Sequence, residues 1–193
     1  MANEDKPEMS ERGVEFSFVA FANAPFYQAI NSNLVELSKL HPGQRVVDLA
    51  CGTGGVTKII LEKLRGARES LVIGVDLSTS ALKQAREDLQ SAKDAMVEFV
   101  LGRAEQLSQL VREKVDAVVF CNAIHLVTDK ARLSGEVFST LRSGGVFAFN
   151  TSFFWVGDRF RRLSAMRSPI ARFSASDRPV ITLRGASGSI AYR

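Results

Sequence analysis

Apolar strand-like runs and helix-like segments alternate five times from residue 45 onward, and this alternation constrains the fold more than any other feature. The strand-like runs are almost continuously apolar, which is typical of parallel strands that are covered on both faces. Right-handed crossovers between such strands predict an α/β fold with a doubly wound, mostly parallel sheet and helices on both faces. We predict strands at residues 45–49, 71–75, 97–101, 115–120 and 145–149, and helices at residues 55–65, 80–91, 106–112 and 128–141.

The alternating core has a segment on either side of it. The acidic start has no apolar stretch, so we expect a flexible leader and not a secretory signal. Ile30, Leu34 and Leu37 recur at helical spacing, and this predicts a helix that lies over the site as a lid. The predicted division is a flexible leader at residues 1–20, a helical lid at 21–44, the α/β core at 45–150 and a basic ending at 151–193.

Composition excludes some classes of protein. Hydrophobic residues make up 46% and charged residues 24% of the 193 residues, which is ordinary for a globular protein. The longest apolar stretch is too short and too polar to span a bilayer. The two cysteines, Cys51 and Cys121, both lie in apolar runs, which favours buried, reduced thiols in a cytoplasmic protein.

The ending of the chain is basic and differs from the rest. Residues 157–193 hold eight arginines against two aspartates, a net charge of +6, and no lysine. Three interpretations stay open: a basic surface helix, a nucleic-acid patch, and a truncated or otherwise atypical end of the domain. The missing lysines weaken the second. A helix at residues 159–173 and a hairpin of residues 180–184 and 189–193 would close the domain, whereas a truncated ending would expose the edge of the fifth strand.

The stretch "VVDLACGTGG" at residues 46–55 places three glycines within four positions directly after the first strand. Doubly wound sheets bind ligands at this end of the strands, where the strand order reverses. A phosphate-binding P-loop is excluded, because that motif requires glycine directly before its lysine, and Thr57 stands directly before Lys58. The dinucleotide fingerprint is matched in part: Gly52 and Gly54 fit, but Thr57 stands at the position of the third glycine.

Residues 46–54, "VVDLACGTG", resemble motif I of the class I, Rossmann-like S-adenosylmethionine-dependent methyltransferases. Four further stretches resemble later motifs of that family, in its order and spacing. They are "VIGVDLS" at 72–78, "VLGRAEQL" at 100–107, "DAVVFCNAIHLV" at 116–127 and "LRSGGVFAF" at 141–149. The resemblance implies S-adenosyl-L-methionine as cofactor, and the fourth stretch is similar to the branch of the family that acts on small molecules.

The resemblance also implies cofactor contacts after the first two strands. The backbone at Ala50, Gly52 and Gly54 is expected against the methionine and ribose part, and the next helix offers free N–H groups to the methionine carboxylate. Asp48 is expected near the amino end of the cofactor, often through water. Asp76 is expected to accept both ribose hydroxyls. The sequence shows no other partner for Asp76, so we expect its loss to weaken cofactor binding and to leave the stability of the fold nearly unchanged.

The adenine side departs from the family pattern. Leu77 is expected to pack on the adenine face, and Ala104 to donate its backbone N–H to a ring nitrogen. The family often has Asp-Ala here, whereas this chain has Arg103 before Ala104 and Glu105 after it. Whether Glu105 contacts the adenine amino group or caps a helix stays open.

The segment after the fourth strand is expected to face the methyl group. Asn122 is expected to contact the cofactor's amino group through its carbonyl, and Tyr27 is a candidate for the methionine end. His125 is either a base that deprotonates a hydroxyl acceptor or a wall residue of the cleft. The stretch has no Pro-Pro-aromatic sequence of the kind found in enzymes that methylate base amino groups, so a nucleic-acid acceptor is disfavoured.

The function predicted from the sequence is methyl transfer from S-adenosylmethionine to a small molecule, mainly through proximity and alignment. A cofactor-binding protein of the same fold without turnover is the alternative, and a nicotinamide-dependent oxidoreductase is a weaker one. We expect no metal and no membrane partner, and the oligomeric state stays open.

Overall fold

The computed structural model describes residues 25–90, 96–156, 159–167, 170–172, 181–185 and 188–192. Its helices are α1 (Pro25–Leu37), α2 (Gly55–Lys63), α3 (Thr79–Asp88), α4 (Leu107–Leu110) and α5 (Lys130–Thr140), with 3-10 turns at Ala104–Gln106 and Ile124–Leu126. Its strands are β1 (Arg45–Leu49), β2 (Leu71–Asp76), β3 (Met96–Leu101), β4 (Val115–Phe120), β5 (Leu141–Phe149), β6 (Thr151–Val156), β7 (Arg159–Arg167), β8 (Ile170–Arg172), β9 (Ile181–Gly185) and β10 (Gly188–Tyr192). The expected leader lies outside these residues.

Five parallel strands form the main sheet in the order β3-β2-β1-β4-β5, and β8 is added antiparallel to β5. The strand order reverses between β1 and β4, which pair in parallel with Asp48 beside Val119. The predicted doubly wound, mostly parallel α/β fold is therefore confirmed. The carboxyl ends of β1 and β4 lie at the switch point, where such sheets bind ligands.

Both faces of the sheet are covered by helices. Val47 on β1 belongs to a buried cluster with Leu133 of α5, whereas the neighbouring Val46 points to the other face and clusters with Leu34 of α1. All six residues of β4 are buried, in keeping with its central place. Each fully buried aliphatic side chain contributes about 1.5–3 kcal/mol, so these two clusters fix the sheet that carries the site.

Helix α1 exists as predicted, but its buried stripe is offset from the predicted one. Leu34 is fully buried, whereas Leu37 is 42% exposed. The residues that α1 buries are Tyr27, Asn31, Leu34 and Val35. The pattern of apolar residues did not reveal this face, because one of its four members is a polar asparagine.

The structure corrects two expectations for the chain's ending. One of the open interpretations placed a helix at residues 159–173, but Arg159–Arg167 is a strand that pairs antiparallel with Thr151–Val156. The β-branched and aromatic run "TSFFWV" favours a strand and supplies the partner. The expected exposure of the β5 edge is not seen, because Ile170–Arg172 pairs antiparallel with Val146–Ala148. The predicted hairpin is present as β9 and β10.

No helix in the part of the chain that the structure describes combines the length and the apolar character that crossing a bilayer requires.

Candidate functional site

The turn after β1 is built from backbone in the left-handed region. Ala50, Gly52 and Gly54 have φ angles of 56°, 54° and 87°. Gly52 and Gly54 differ in what an added Cβ atom would contact. A Cβ on Gly52 would meet nothing within 4 Å, whereas a Cβ on Gly54 would lie 3.0 Å from Leu89 Cδ1 and 3.3 Å from Ala85 Cβ. Gly52 thus faces open space suited to a ligand. Gly54 is required by the close packing of the turn on α3.

Asp48 lies beneath this turn and is 1% exposed. The Thr57 hydroxyl donates a 2.6 Å hydrogen bond to Asp48 Oδ2, and the Thr57 backbone N–H also bonds to the carboxylate. Burial raises the pKa of Asp48 to about 7, the charge of Asp76 adds to that rise, and the two bonds from Thr57 oppose it. Asp48 is therefore bonded to the start of α2 through Thr57, which is itself fully buried. Its expected place near the cofactor's amino end stays a prediction.

Asp76 ends β2 and joins two turns. Its Oδ2 accepts a 2.8 Å hydrogen bond from the Gly52 N–H, and its Oδ1 accepts a 2.9 Å bond from the Ser78 N–H. The expectation that Asp76 has no partner within the protein is therefore wrong. Each carboxylate oxygen has a second lone pair, so the predicted contact with two ribose hydroxyls remains chemically open.

The residues predicted for the adenine side lie after β2 and β3, which are neighbours. Leu77 directly follows Asp76 and is 59% exposed, so its side chain is uncovered. Arg103 Nη2 lies 3.5 Å from Glu105 Oε1, and Ala104 begins the 3-10 turn between them. The N-cap residue of this turn, Arg103, makes no side-chain capping bond, and the carboxylate of Glu105 pairs with the Arg103 guanidinium.

The turn after β4 is held by side chains from distant parts of the chain. Asn122 has a φ of 53°, and its N–H donates a 2.7 Å hydrogen bond to Asn150 Oδ1. Asn31 Oδ1 accepts from Asn150 Nδ2 at 3.1 Å and from Asn122 Nδ2 at 3.4 Å. Tyr27, one helical turn before Asn31, is buried on the same face of α1. The structure thus brings α1 to the turn that carries Asn122.

His125 lies in the 3-10 turn Ile124–Leu126 and is half-buried. Its Nδ1 is 3.2 Å from Thr151 Oγ1. Burial lowers the pKa of His125, and the nearby positive charge of Lys130 lowers it further. A neutral imidazole at pH 7 is chemically able to accept a proton, so the structure leaves both sequence interpretations of His125 standing.

Four residues of this site were missed by the sequence analysis: Thr57, Asn31, Asn150 and Thr151. Thr57 carried a usable signal, because it occupies the position of the missing third glycine and follows Asp48 by nine residues, within reach across the turn. The other three bond to residues 26 to 119 positions away, and nothing in the local sequence marks them.

Both cysteines are buried and free, and burial raises the pKa of each thiol. Among the residues that the structure describes, no three His, Cys, Asp or Glu side chains lie together in a way that would hold a metal ion.

The family model described as "Methyltransferase domain" matches residues 40–168 of the chain. The chain belongs to this family. The matched region includes β1 to β5 and both turns described above, and the site motifs identify it as a class I S-adenosylmethionine-dependent methyltransferase domain.

Known methyltransferases are similar to this domain over part of their length. The probable S-adenosylmethionine-dependent methyltransferase of Saccharomyces cerevisiae is 36% identical over 117 residues, which are 59% of this chain and 38% of the yeast protein. A demethylmenaquinone methyltransferase of Symbiobacterium thermophilum is 31% identical over 115 residues, 58% and 44% of the two chains. The chain thus spans less than half the length of either relative.

A solved methyltransferase structure with ligands bound is similar to this chain over part of its length. Phosphoethanolamine N-methyltransferase 2 of Haemonchus contortus, in complex with phosphomonomethylethanolamine and S-adenosylhomocysteine, superposes with a TM-score of 0.54 at 25% identity. The match covers 64% of this chain and 28% of that one.

Proposed function

We propose that this methyltransferase domain transfers a methyl group from S-adenosyl-L-methionine to a small-molecule acceptor. The observation that carries the proposal is the turn after β1. It lies at the switch point of the sheet, leaves open space at Gly52, and is tied to a carboxylate at the end of β2. Family membership supplies the choice of cofactor among the ligands that such a turn accommodates.

The residues present fit this cofactor. Gly52 has room for a ligand against its backbone, and the exposed Leu77 offers an apolar face to the adenine. Asp76 keeps lone pairs for the ribose hydroxyls although it already accepts two backbone bonds. Asp48 places a carboxylate beneath the turn, and its negative form favours a ligand that carries a sulfonium and an ammonium.

The cofactor, when bound, supplies a methyl carbon made electrophilic by the adjoining sulfonium. The protein's contribution is then to bind, align and exclude water. Asn122, at the end of β4, is proposed to hold the amino end of the cofactor, with Tyr27 beside it on α1. Alignment of two reactants supplies up to roughly 7–11 kcal/mol of barrier reduction, so the proposal does not require a base.

We propose a small molecule as acceptor and the cytoplasm as the place of action. A small acceptor is supported by the named substrates of the similar enzymes, a demethylmenaquinone and a phosphorylated ethanolamine. The absence of a Pro-Pro-aromatic sequence after β4 argues against a nucleic-acid base. The two free thiols suit a reducing compartment.

Calorimetry with S-adenosylhomocysteine tests the cofactor. We expect binding at micromolar ligand and none with NAD; no binding at millimolar S-adenosylhomocysteine, with binding of NAD, would overturn the proposal. A screen of a metabolite extract with the methyl-labelled cofactor then tests turnover. A labelled product supports an enzyme, whereas binding without any labelled product favours the protein without turnover.

A further inference from the structure

Three asparagine side chains meet behind the turn that follows β4. Asn31 comes from α1, Asn122 from the turn itself, and Asn150 from the residue after β5. We call these three residues the amide cluster. Asn150 is fully buried and Asn31 is 9% exposed, so the cluster has little access to water.

The hydrogen bonds of the amide cluster fix the orientation of its members. Asn31 Oδ1 faces two donors, the Nδ2 groups of Asn122 and Asn150. Asn150 must therefore point its nitrogen toward α1, which leaves its Oδ1 to accept from the Asn122 N–H at 2.7 Å. A flipped Asn150 would place two donors against each other on one side and two acceptors on the other. Buried polar groups without partners are strongly disfavoured, so a single arrangement is selected.

The backbone of Asn150 reinforces this arrangement. Its N–H donates to the Phe120 carbonyl at 3.3 Å, and its carbonyl accepts from the Asn122 N–H at 3.2 Å. Asn150, directly after β5, is thus bonded through its backbone to Phe120, the last residue of β4, and to Asn122 in the turn that follows. Asparagine is one of the few residues other than glycine that adopt a left-handed φ readily, and these bonds hold Asn122 in that conformation at 53°.

We propose that Asn150 is a positioning residue, whose side chain holds the turn that presents Asn122 and at the same time fastens α1 over the site. The inference rests on the proposed function, in which Asn122 holds the amino end of the cofactor. Docking of α1 and affinity for the methionine end are then coupled through one amide. The adenosine end, on the β2 side, is outside this coupling.

The test compares Asn150→Ala, Asn31→Ala and the double variant with Asn33→Ala in the intact chain. Asn33 lies on the same helix but is exposed, so it is a matched control. Two ligands are titrated by calorimetry, S-adenosylhomocysteine and adenosine. We expect each single variant to weaken S-adenosylhomocysteine about tenfold, the double variant to weaken it little further, and Asn33→Ala to change nothing. Adenosine affinity stays unchanged in all four.

A general loss of stability would weaken both ligands alike, and this outcome overturns the inference, as does unchanged affinity for S-adenosylhomocysteine. Hydrogen exchange of the α1 amides without ligand is the second measurement. Asn31→Ala should speed exchange along α1 and Asn33→Ala should not; equal exchange in the two overturns the inference even if Asn150→Ala does not fold. If the unaltered chain binds neither ligand, the proposed function fails, and the exchange comparison still decides how α1 is fastened.

Discussion

The turns after β1 and β4 lie side by side at the switch point and perform related tasks by different chemistry. Both contain residues other than glycine with a left-handed φ, Ala50 in one and Asn122 in the other. The first turn is held by two carboxylates, Asp48 and Asp76, which accept from hydroxyl and backbone donors. The second is held by neutral amides, with no charge in the cluster.

This difference has a physical consequence for the site. A carboxylate attracts a cationic ligand and responds to pH, whereas an amide cluster fixes shape and is indifferent to pH. We therefore expect the β1 turn to make cofactor affinity depend on pH, and the β4 turn to contribute to cofactor affinity and alignment without a pH dependence. Four predictions examine this contrast, from the largest expected effect to the smallest.

The pH dependence of stability should come from Asp48. The native state keeps the proton on Asp48 up to about pH 7, whereas the unfolded chain releases it near the ordinary aspartate pKa of 3.8. The native state thus binds the extra proton between these values, and the free energy of unfolding should fall as pH rises from about 4 to about 7, by up to about 4 kcal/mol. Asp48→Asn should flatten this slope in urea titrations at several pH values. Asn150→Ala should lower the free energy of unfolding by a similar amount at every pH. If the pH dependence of this free energy is also lost in Asn150→Ala, the proposed difference between the two turns is wrong.

Glycine replacements should separate packing from ligand approach within the β1 turn. Gly54→Ala adds strain at a φ of 87° and a contact of 3.0 Å with Leu89, so we expect a loss of about 3 kcal/mol in the free energy of unfolding. Gly52→Ala meets open space and should cost only about 1–2 kcal/mol. Its effect should appear instead as weaker binding of S-adenosylhomocysteine. Equal losses of stability in the two variants would contradict the different reasons given for the two glycines.

Asp76→Ala should weaken both cofactor binding and the fold. Loss of a charged acceptor for the ribose hydroxyls costs about 1.5–3 kcal/mol, which corresponds to a decrease in affinity of about 10- to 150-fold. Because the Gly52 and Ser78 N–H groups also lose their acceptor, unfolding of the free protein should become easier by about 1–2 kcal/mol. Calorimetry and urea unfolding measure the two effects. Asp76→Asn is the control, because it keeps the shape of the side chain and one of its two oxygens. It should retain part of the cofactor affinity and part of the stability.

His125→Gln tests whether the β4 side contributes more than shape. We expect cofactor binding to be unchanged and turnover of an acceptor found in the screen to stay above about a tenth, since deletion of a general base costs about 10²–10⁴. A loss of a hundredfold or more would make His125 the base. Its lowered pKa would then appear as a limb below 6.5 in the pH-rate profile of the unaltered enzyme, and the limb would vanish in the variant.

The β1 turn was predictable because its parts are close together in the sequence or follow a fixed strand pattern. Asp48, Gly52 and Gly54 lie within seven residues, and Asp76 ends the next apolar run. The five parallel strands were predictable for the same reason, since continuous apolar runs that alternate with helical spacing leave few folds open. The one error in this turn was the assumption that Asp76 lacks a partner, because backbone donors such as the Gly52 N–H leave no trace in a sequence.

Only the tertiary structure decided how the β4 side is held and which strands follow β5. Asn31 and Asn150 are 119 residues apart, and Asn31 interrupts the apolar stripe of α1, so periodicity hid both the buried face and its polar partner. The sequence left a helix at residues 159–173 as one open interpretation, because the strand Arg159–Arg167 depends on pairing with Thr151–Val156 rather than on its own spacing. Local spacing determined the strands and the β1 turn, while long-range hydrogen bonds between neutral groups, which follow no sequence period, determined the rest.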